Sequence, residues 1–371
     1  MSLNPRLVKE SFAVIEPVAE KAAAYFYGRL FAESPHLRGM FPPAMNVQRD
    51  RLFSALTRIV WSLDSPDSMA SFLGQLGRDH RKYGVIAEHY TAVGNALLAT
   101  IKRFSAEAWT SEVEAAWVAA YTAAANLMIE SADADAGVSP AWWLAEVIDH
   151  ERRTPDIAVI TLRLDQNLPY QPGQYVNVQT ARWPRVWRTF SIANAPREDN
   201  TIRLHVRAIP GGWVSTALVE HTRIGDAVTL GPPIGTMTPT GSGRDILCVA
   251  GGTGLAPIKA ILEHVIASGQ RPNIHLLYGA RHAHELYDLT DLVRMESAFP
   301  WLRVLPVVSD QPGYDGMRGQ VPDVMERFHS WIDHDIYICG PSAMVNETVR
   351  RLQRNGVPMA NIHRDIVQGE P

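Results

Sequence analysis

Apolar positions in the first third of the chain recur at three- and four-residue spacing. Ala23, Phe26, Tyr27 and Leu30 form one such stripe, the mark of a helix facing a core. Asn4 and Pro5 suit the start of a first helix, Pro17 opens a second, and Ser34-Pro35 ends it. Further helices are expected over residues 48–63, 66–79, 87–104 and 111–132, and the polar stretch 133–140 reads as a short link. Beyond it the period changes to two. Strands are expected at 157–162, 175–178, 201–206 and 227–230, between turns rich in Pro, Gly and Asn, a texture that predicts a small antiparallel barrel. From Asp245 strands alternate with helices: strands at 246–250, 274–278, 303–308 and 336–339, and helices at 256–268, after His284, and at 341–355. That order predicts an open α/β sheet. The expected fold is multidomain: an all-α domain over 1–137, an antiparallel β-barrel over 141–240, and an α/β nucleotide-binding domain over 243–371.

Composition narrows the function classes. The 371 residues are 46% hydrophobic and 20% charged, an ordinary globular balance. A net charge of −4 provides no basic field for nucleic acid or anionic lipid. Cys248 and Cys339 are the two cysteines, too few for a disulfide framework or an iron–sulfur site. The apolar stretch 115–129 is interrupted by Thr122 and Asn126 and is too short for a membrane span. The first residues show no charged segment leading into an unbroken apolar run, so a cytoplasmic location is expected.

The strongest local motif is Ile246-Leu247-Cys248-Val249-Ala250-Gly251-Gly252-Thr253-Gly254-Leu255-Ala256-Pro257, a buried strand, a glycine-rich turn and a helix start. Such glycines let main-chain N–H groups approach a pyrophosphate at the positive end of a helix. Pro257 stands where a dinucleotide fingerprint would have its last glycine, and the same residues also suit a tight turn without a ligand. Upstream lie Pro172-Gly173-Gln174-Tyr175, Arg188-Thr189-Phe190-Ser191 and Gly211-Gly212-Trp213-Val214-Ser215; downstream, Cys339-Gly340-Pro341 ends another strand. In this order and spacing the segments resemble the ferredoxin-reductase family of flavin enzymes. The resemblance implies that Arg188 pairs with an FAD phosphate, that Ser191 lies near the reactive nitrogen, and that Tyr175 packs on the flavin. It implies that Gly212, Val214 and Ser215 bring N–H groups to the pyrophosphate, and that the turn from Gly252 to Pro257, with Cys339 and Gly340, takes NAD(P)H. Phe190 stands where the family usually has tyrosine. At the end of the chain, Asp365-Ile366-Val367-Gln368 keeps the family's acid but has Val367 in place of its aromatic.

Four histidines precede the barrel strands: His36, His80, His89 and His150. His80 and His89 are the helix-associated ones, and a lone histidine at a helix end is more often structural than a ligand. The runs Tyr25-Phe26-Tyr27-Gly28-Arg29-Leu30-Phe31, Leu37-Arg38-Gly39-Met40-Phe41-Pro42, Gln48-Arg49-Asp50-Arg51-Leu52-Phe53 and Asp79-His80-Arg81-Lys82-Tyr83-Gly84 change that balance. With His89-Tyr90 and Val93-Gly94 they resemble the globin domain of bacterial flavohaemoglobins, and the resemblance then covers essentially the whole chain. It implies haem b, with His80 as the axial iron ligand, Phe41 wedging the macrocycle and Tyr27 donating a hydrogen bond to dioxygen. Gln48 and Leu52, one turn apart, would overlook the same distal space, and Tyr90 would help orient the histidine. Two departures stand out. Asp79 replaces the family's usual lysine, and the relay glutamate falls near Ala132, with Glu130 two positions earlier and so about 200° around the helix.

The family mostly oxidises nitric oxide with dioxygen to nitrate, using NAD(P)H electrons passed through FAD to haem. Its small-molecule partners would be dioxygen, nitric oxide and NAD(P)H. Two other readings remain open at this point: a divergent member with another donor or acceptor, such as a peroxide or quinone, and an oxygen-binding or sensing globin kept ferrous by its reductase. Arg281 and His282 follow the second sheet strand, where a 2′-phosphate would be read, yet surface cations are common there, so NADH and NADPH are both open. Oligomeric state is open as well.

Overall fold

A computed structural model describes residues 4–328 and 330–365. The chain divides into two units, one up to Trp142 and one from Trp143 onward.

The first unit is helical: α1 (Pro5–Ala13), α2 (Ala19–Glu33), α3 (Asn46–Trp61), α4 (Pro66–His80), α5 (Ala87–Ser105) and α6 (Ser111–Ala136). Asn4 caps α1 by accepting from the Leu7 N–H, and Thr110 caps α6 by accepting from Val113. One core cluster gathers Phe12, Phe26, Tyr27, Leu30, Leu97, Ile101 and Trp117. The expected link at 133–140 is helical as far as Ala136. Its Ala-Asp repeats carry no apolar signal, but Arg81 pairs with Asp135 and donates to the Ser139 carbonyl at 2.8 Å. Those contacts hold an extra turn that local patterning does not announce.

The second unit begins with six strands in the order β4-β3-β6-β1-β2-β5. They are β1 (Trp143–Arg152), β2 (Ile157–Leu164), β3 (Tyr175–Thr180), β4 (Arg188–Ser191), β5 (Thr201–Arg207) and β6 (Ala227–Leu230), with the short helix α7 (Trp213–Thr216) after β5. All their pairings are antiparallel, and a bridge between Ile192 and Leu204 joins the two edges into a nearly closed barrel. Alternate residues such as Val147, Ile160, Leu162, Val176 and Leu204 point inward and are fully buried.

A parallel sheet follows in the order β10-β9-β8-β7-β11-β12. Its strands are β7 (Ile246–Gly251), β8 (Ile274–Ala280), β9 (Leu302–Val308), β10 (Met317–Arg318), β11 (Asp335–Cys339) and β12 (Ile362–Arg364). Helices α8 (Leu255–Ala267) and α9 (Leu289–Ala298) pack on one face, α10 (Val321–Met325) and α11 (Ser342–Arg354) on the other. Every residue of β7 is buried, as expected for a strand covered on both faces. With β8 on one side of β7 and β11 on the other, the strand order reverses at β7, which opens a crevice at its carboxyl end.

Candidate functional site

In the helical unit, α4 ends at His80. Its Nδ1 lies 2.7 Å from the Leu76 carbonyl. A carbonyl only accepts, so Nδ1 carries the proton and Nε2 keeps its lone pair. Burial, the largest influence, lowers the imidazole pKa and keeps the ring neutral. A neutral imidazole of fixed tautomer is the donor that haem iron takes as axial ligand, so this residue fits haem.

Two glycines position that helix. A Cβ on Gly77 would stand 2.2 Å from the Met128 carbonyl oxygen, and one on Gly74 would stand 3.1 Å from Ser131 Oγ. The backbone of α4 therefore rests on α6 just before His80. Beyond it Lys82, whose side chain is fully buried, pairs with Asp79. The cation that the family places immediately before the histidine stands here two positions after it. Glu130 is exposed to solvent and Ala132 has no carboxyl group, so neither position of α6 buries a carboxylate.

Tyr27 is 4% exposed on α2. Its hydroxyl accepts from Gln48 Nε2 at 3.3 Å and donates to the Gln48 carbonyl at 3.4 Å. Burial, slightly opposed by the Gln48 bond, pushes its pKa up to about 12. Phe41 meets the Tyr27 ring edge-on at 5.5 Å between centroids, Phe31 lies at 5.7 Å, and Leu52 joins the same cluster from α3. Tyr27, Gln48 and Phe41 thus come together, and Leu52 packs against the same core cluster. Tyr90 is half-buried on α5, and its carbonyl accepts from the Tyr121 hydroxyl at 2.5 Å.

In the barrel, Tyr175 on β3 lies opposite Ser191 on β4, and Thr189 lies opposite Asn177, to which its hydroxyl donates at 3.3 Å. Phe190 packs against the barrel core. Arg188 is half-buried and donates to the Trp187 carbonyl at 2.9 Å. At the start of α7, Gly212 has no room for a side chain, because a Cβ would stand 2.4 Å from Ser215 Oγ. Val214 and Ser215 are buried behind it. Asp365 accepts from the Thr236 N–H at 3.0 Å. A Cβ on Gly235, whose φ is +116°, would come within 2.8 Å of Asp365 and 3.1 Å of the Tyr175 ring. The acid near the chain end therefore docks on the barrel beside Tyr175, and burial raises its pKa. Ile366, Val367 and Gln368 lie outside the described residues.

At the crevice, a Cβ on Gly254 would stand 2.4 Å from the Cys339 carbonyl oxygen, and one on Gly251 would stand 2.8 Å from Pro341. Close packing of this turn against Cys339 and Gly340 accounts for those two glycines. Gly252 differs: its φ is +54°, and a Cβ there would find only Arg207 Nη1, at 3.9 Å. That open cradle at the helix start fits a pyrophosphate. Thr253 is half-buried in the turn, while Leu255 and Ala256 are buried as α8 begins. Pro257 is the third residue of α8, where a backbone N–H has no helical partner, so proline is tolerated there.

Sequence patterning misses a polar seam between the barrel and the sheet domain of this second unit. Arg207 bridges Asp156 and Glu285 at 2.7 Å each, His205 Nδ1 meets the Tyr287 hydroxyl at 2.7 Å, and Arg153 reaches Asp291 at 3.5 Å, beside the Lys259–Asp288 pair of the sheet domain. Arg207 and Glu285 are 78 positions apart, so no local spacing links them.

Comparison with known proteins agrees with this architecture. Residues 24–128 match the Globin family, 144–238 the Oxidoreductase FAD-binding domain, and 248–350 the Oxidoreductase NAD-binding domain. The chain is 29% identical to the Flavohemoprotein of Bordetella pertussis, over 97% of this chain and 96% of that one. It is 34% identical to the ferredoxin–NAD(P)+ reductase component of the naphthalene 1,2-dioxygenase system of Pseudomonas putida, over 65% of this chain and 74% of the other. The crystal structure of a flavohemoglobin from Malassezia yamatoensis with bound FAD and heme shares the fold, with a TM-score of 0.79 at 18% identity, covering 97% of this chain and 98% of that one. Among the described residues no helix is long and apolar enough to cross a membrane. With a globin, an FAD-binding and an NAD-binding module in one chain, this protein belongs to the flavohaemoglobin family, oxidoreductases that move electrons from NAD(P)H through FAD to haem.

Proposed function

We propose that this flavohaemoglobin is a nitric oxide dioxygenase. Two nitric oxide and two dioxygen molecules consume one NAD(P)H and give two nitrate ions, NAD(P)+ and a proton. The observation that carries this reading is the buried Tyr27 hydroxyl, paired with Gln48 inside a cluster of phenylalanines. Haem and FAD supply the oxygen-binding iron and a carrier that takes two electrons and passes them on singly. His80 would hold that iron with a neutral ring. Tyr27 would turn its single O–H from the Gln48 carbonyl toward dioxygen held in this space, and Gln48, donating to the same hydroxyl, would strengthen that donor. Phe41 and Leu52 keep water away from it.

In the reductase, Arg188 meets a flavin phosphate while Thr189, Phe190, Ser191 and Tyr175 frame the ring. Gly212, Val214 and Ser215 would present main-chain groups to the pyrophosphate, and Asp365, docked beside Tyr175, would meet the flavin edge. Gly252 to Pro257, with Cys339 and Gly340, take the nicotinamide nucleotide. On this reading residues 1–137 hold haem, 141–240 FAD and 243–371 NAD(P)H, and the protein works in the cytoplasm, where reduced nicotinamide is supplied. The test is NAD(P)H consumption with nitrate as product, expected only when nitric oxide and dioxygen are both present. Consumption indifferent to nitric oxide refutes it. The absence of a buried carboxylate at positions 130 and 132 of α6 favours a second reading, an oxygen-binding globin kept ferrous by its reductase, and that reading predicts the indifferent result.

A further inference from the structure

The end of β8 decides which nicotinamide nucleotide the crevice accepts. In sheets of this kind the first strand leads to the pyrophosphate, and the end of the second meets the adenosine ribose. An acid there hydrogen-bonds the ribose 2′-hydroxyl and repels a 2′-phosphate, whereas an arginine accommodates the phosphate. Here β7 is the first strand and β8 its neighbour, about 4.8 Å away. The residue directly after β8 is Arg281, whose side chain is 64% exposed. His282 and His284 follow, both exposed, their rings stacked at 5.5 Å between centroids.

The one acid in this turn has been withdrawn. Glu285 has a side chain only 9% exposed. One of its oxygens is held by Arg207 at 2.7 Å and Arg281 at 3.3 Å; the other accepts from the His282 N–H at 3.0 Å, with His282 Nδ1 at 3.4 Å. With both oxygens engaged on the protein, Glu285 presents none to a ribose. It anchors Arg281 instead, at the near end of a chain of contacts that runs through Arg207 to the cradle at Gly252. The exposed acid nearest to Arg281 along the backbone is Asp310, whose N–H donates to the Arg281 carbonyl at 2.8 Å.

We infer that Arg281, flanked by His282 and His284 and positioned by Glu285, reads the 2′-phosphate of NADPH, so that this chain prefers NADPH to NADH. The inference rests on the nicotinamide reading of the glycine turn. Two readouts on the full-length flavohaem protein test it: ferricyanide reduction by each nucleotide, and calorimetric binding of 2′,5′-ADP against 5′-ADP. NADPH is expected to show the higher kcat/KM, and 2′,5′-ADP to bind more tightly. Arg281→Ala should weaken 2′,5′-ADP and raise the KM for NADPH by roughly ten- to hundredfold, the loss of a charge-assisted contact, while NADH changes less than about twofold. Equal or better use of NADH, with 5′-ADP bound as well as 2′,5′-ADP, overturns the inference, and a selective loss of NADH activity in Asp310→Ala would assign the ribose to that acid. If neither nucleotide reduces the flavin and neither ADP binds, the nicotinamide reading itself falls and takes this inference with it.

Discussion

Removing one oxygen atom separates a catalytic Tyr27 from a packing one. Tyr27→Phe keeps the ring, its edge-on contact with Phe41 and its place in the core. The two hydrogen bonds lost, at 3.3 and 3.4 Å, are both longer than the usual range, so the folded state should lose at most about 1 kcal/mol. Dioxygen loses far more. A hydrogen bond to a charged group is worth about 1.5–3 kcal/mol, which makes oxygen release roughly tenfold to hundredfold faster. Because burial holds the Tyr27 pKa up at about 12, the hydroxyl remains a donor at ordinary pH, and the wild-type release rate should stay flat between about pH 6 and 10. Stopped-flow displacement of oxygen by carbon monoxide from the reduced protein measures both rates. Nitric oxide turnover should fall at low oxygen, with flavin reduction by NAD(P)H untouched. An oxygen release rate equal to wild type would place the hydroxyl outside the distal space and remove the main support for dioxygenase chemistry.

His80→Gly should lose haem yet keep FAD, and added imidazole should restore haem binding; normal haem content without imidazole would pass the ligand role to His89. Arg188→Ala should lower FAD occupancy and slow NAD(P)H-driven haem reduction, and unchanged flavin content after gel filtration would refute its phosphate contact. Gly77→Ala forces α4 off the Met128 carbonyl, which overpacking data put at about 1–3 kcal/mol, so the melting temperature should fall by several degrees and haem should leave faster. Burial raises the Glu285 pKa, but the bonds from Arg207 and His282 outweigh it and hold the carboxylate at about 2, below its ordinary 4.5. A depressed folded-state pKa stabilises fully above pH 4.5 and the effect is lost as pH falls toward 2, so Glu285→Gln should flatten the acid limb of the stability curve in that window. An identical acid limb would show that the carboxylate contributes nothing.

Most of the fold is legible because it is periodic. The stripe on α2, the alternation on β5, and the apolar runs of β2 and β7 each announce their element. β1 escapes notice although Trp143, Ala145 and Val147 alternate inward, because Glu146, Asp149, His150 and Glu151 give it the composition of a helix surface and its register shifts between Val147 and Asp149. The last turn of α6 is invisible for a different reason. Alternating Ala and Asp resembles a loop until Arg81, more than fifty positions earlier, is seen to pair with Asp135.

The candidate site divides along the same line. Tyr27, Gln48 and Phe41 belong to segments whose resemblance to a globin implies a shared pocket, and in the structure Gln48 and Phe41 both meet Tyr27. Asp79 is different. Taken alone it removes a positive charge from the side of the histidine; in the structure it pairs with a fully buried Lys82, so the local charge is a neutral pair rather than a lone anion. Glu285 repeats the pattern at the other end of the chain. In sequence it is an acid within a helical turn of the β8 end, where an acid would select NADH; in space its oxygens are occupied and Arg281 faces outward in its place. In both cases residue identity alone does not give the local charge, since what a ligand meets is the charge left over after the protein's own pairing. That remainder depends on contacts such as the one from Arg207, which only the folded chain brings within reach.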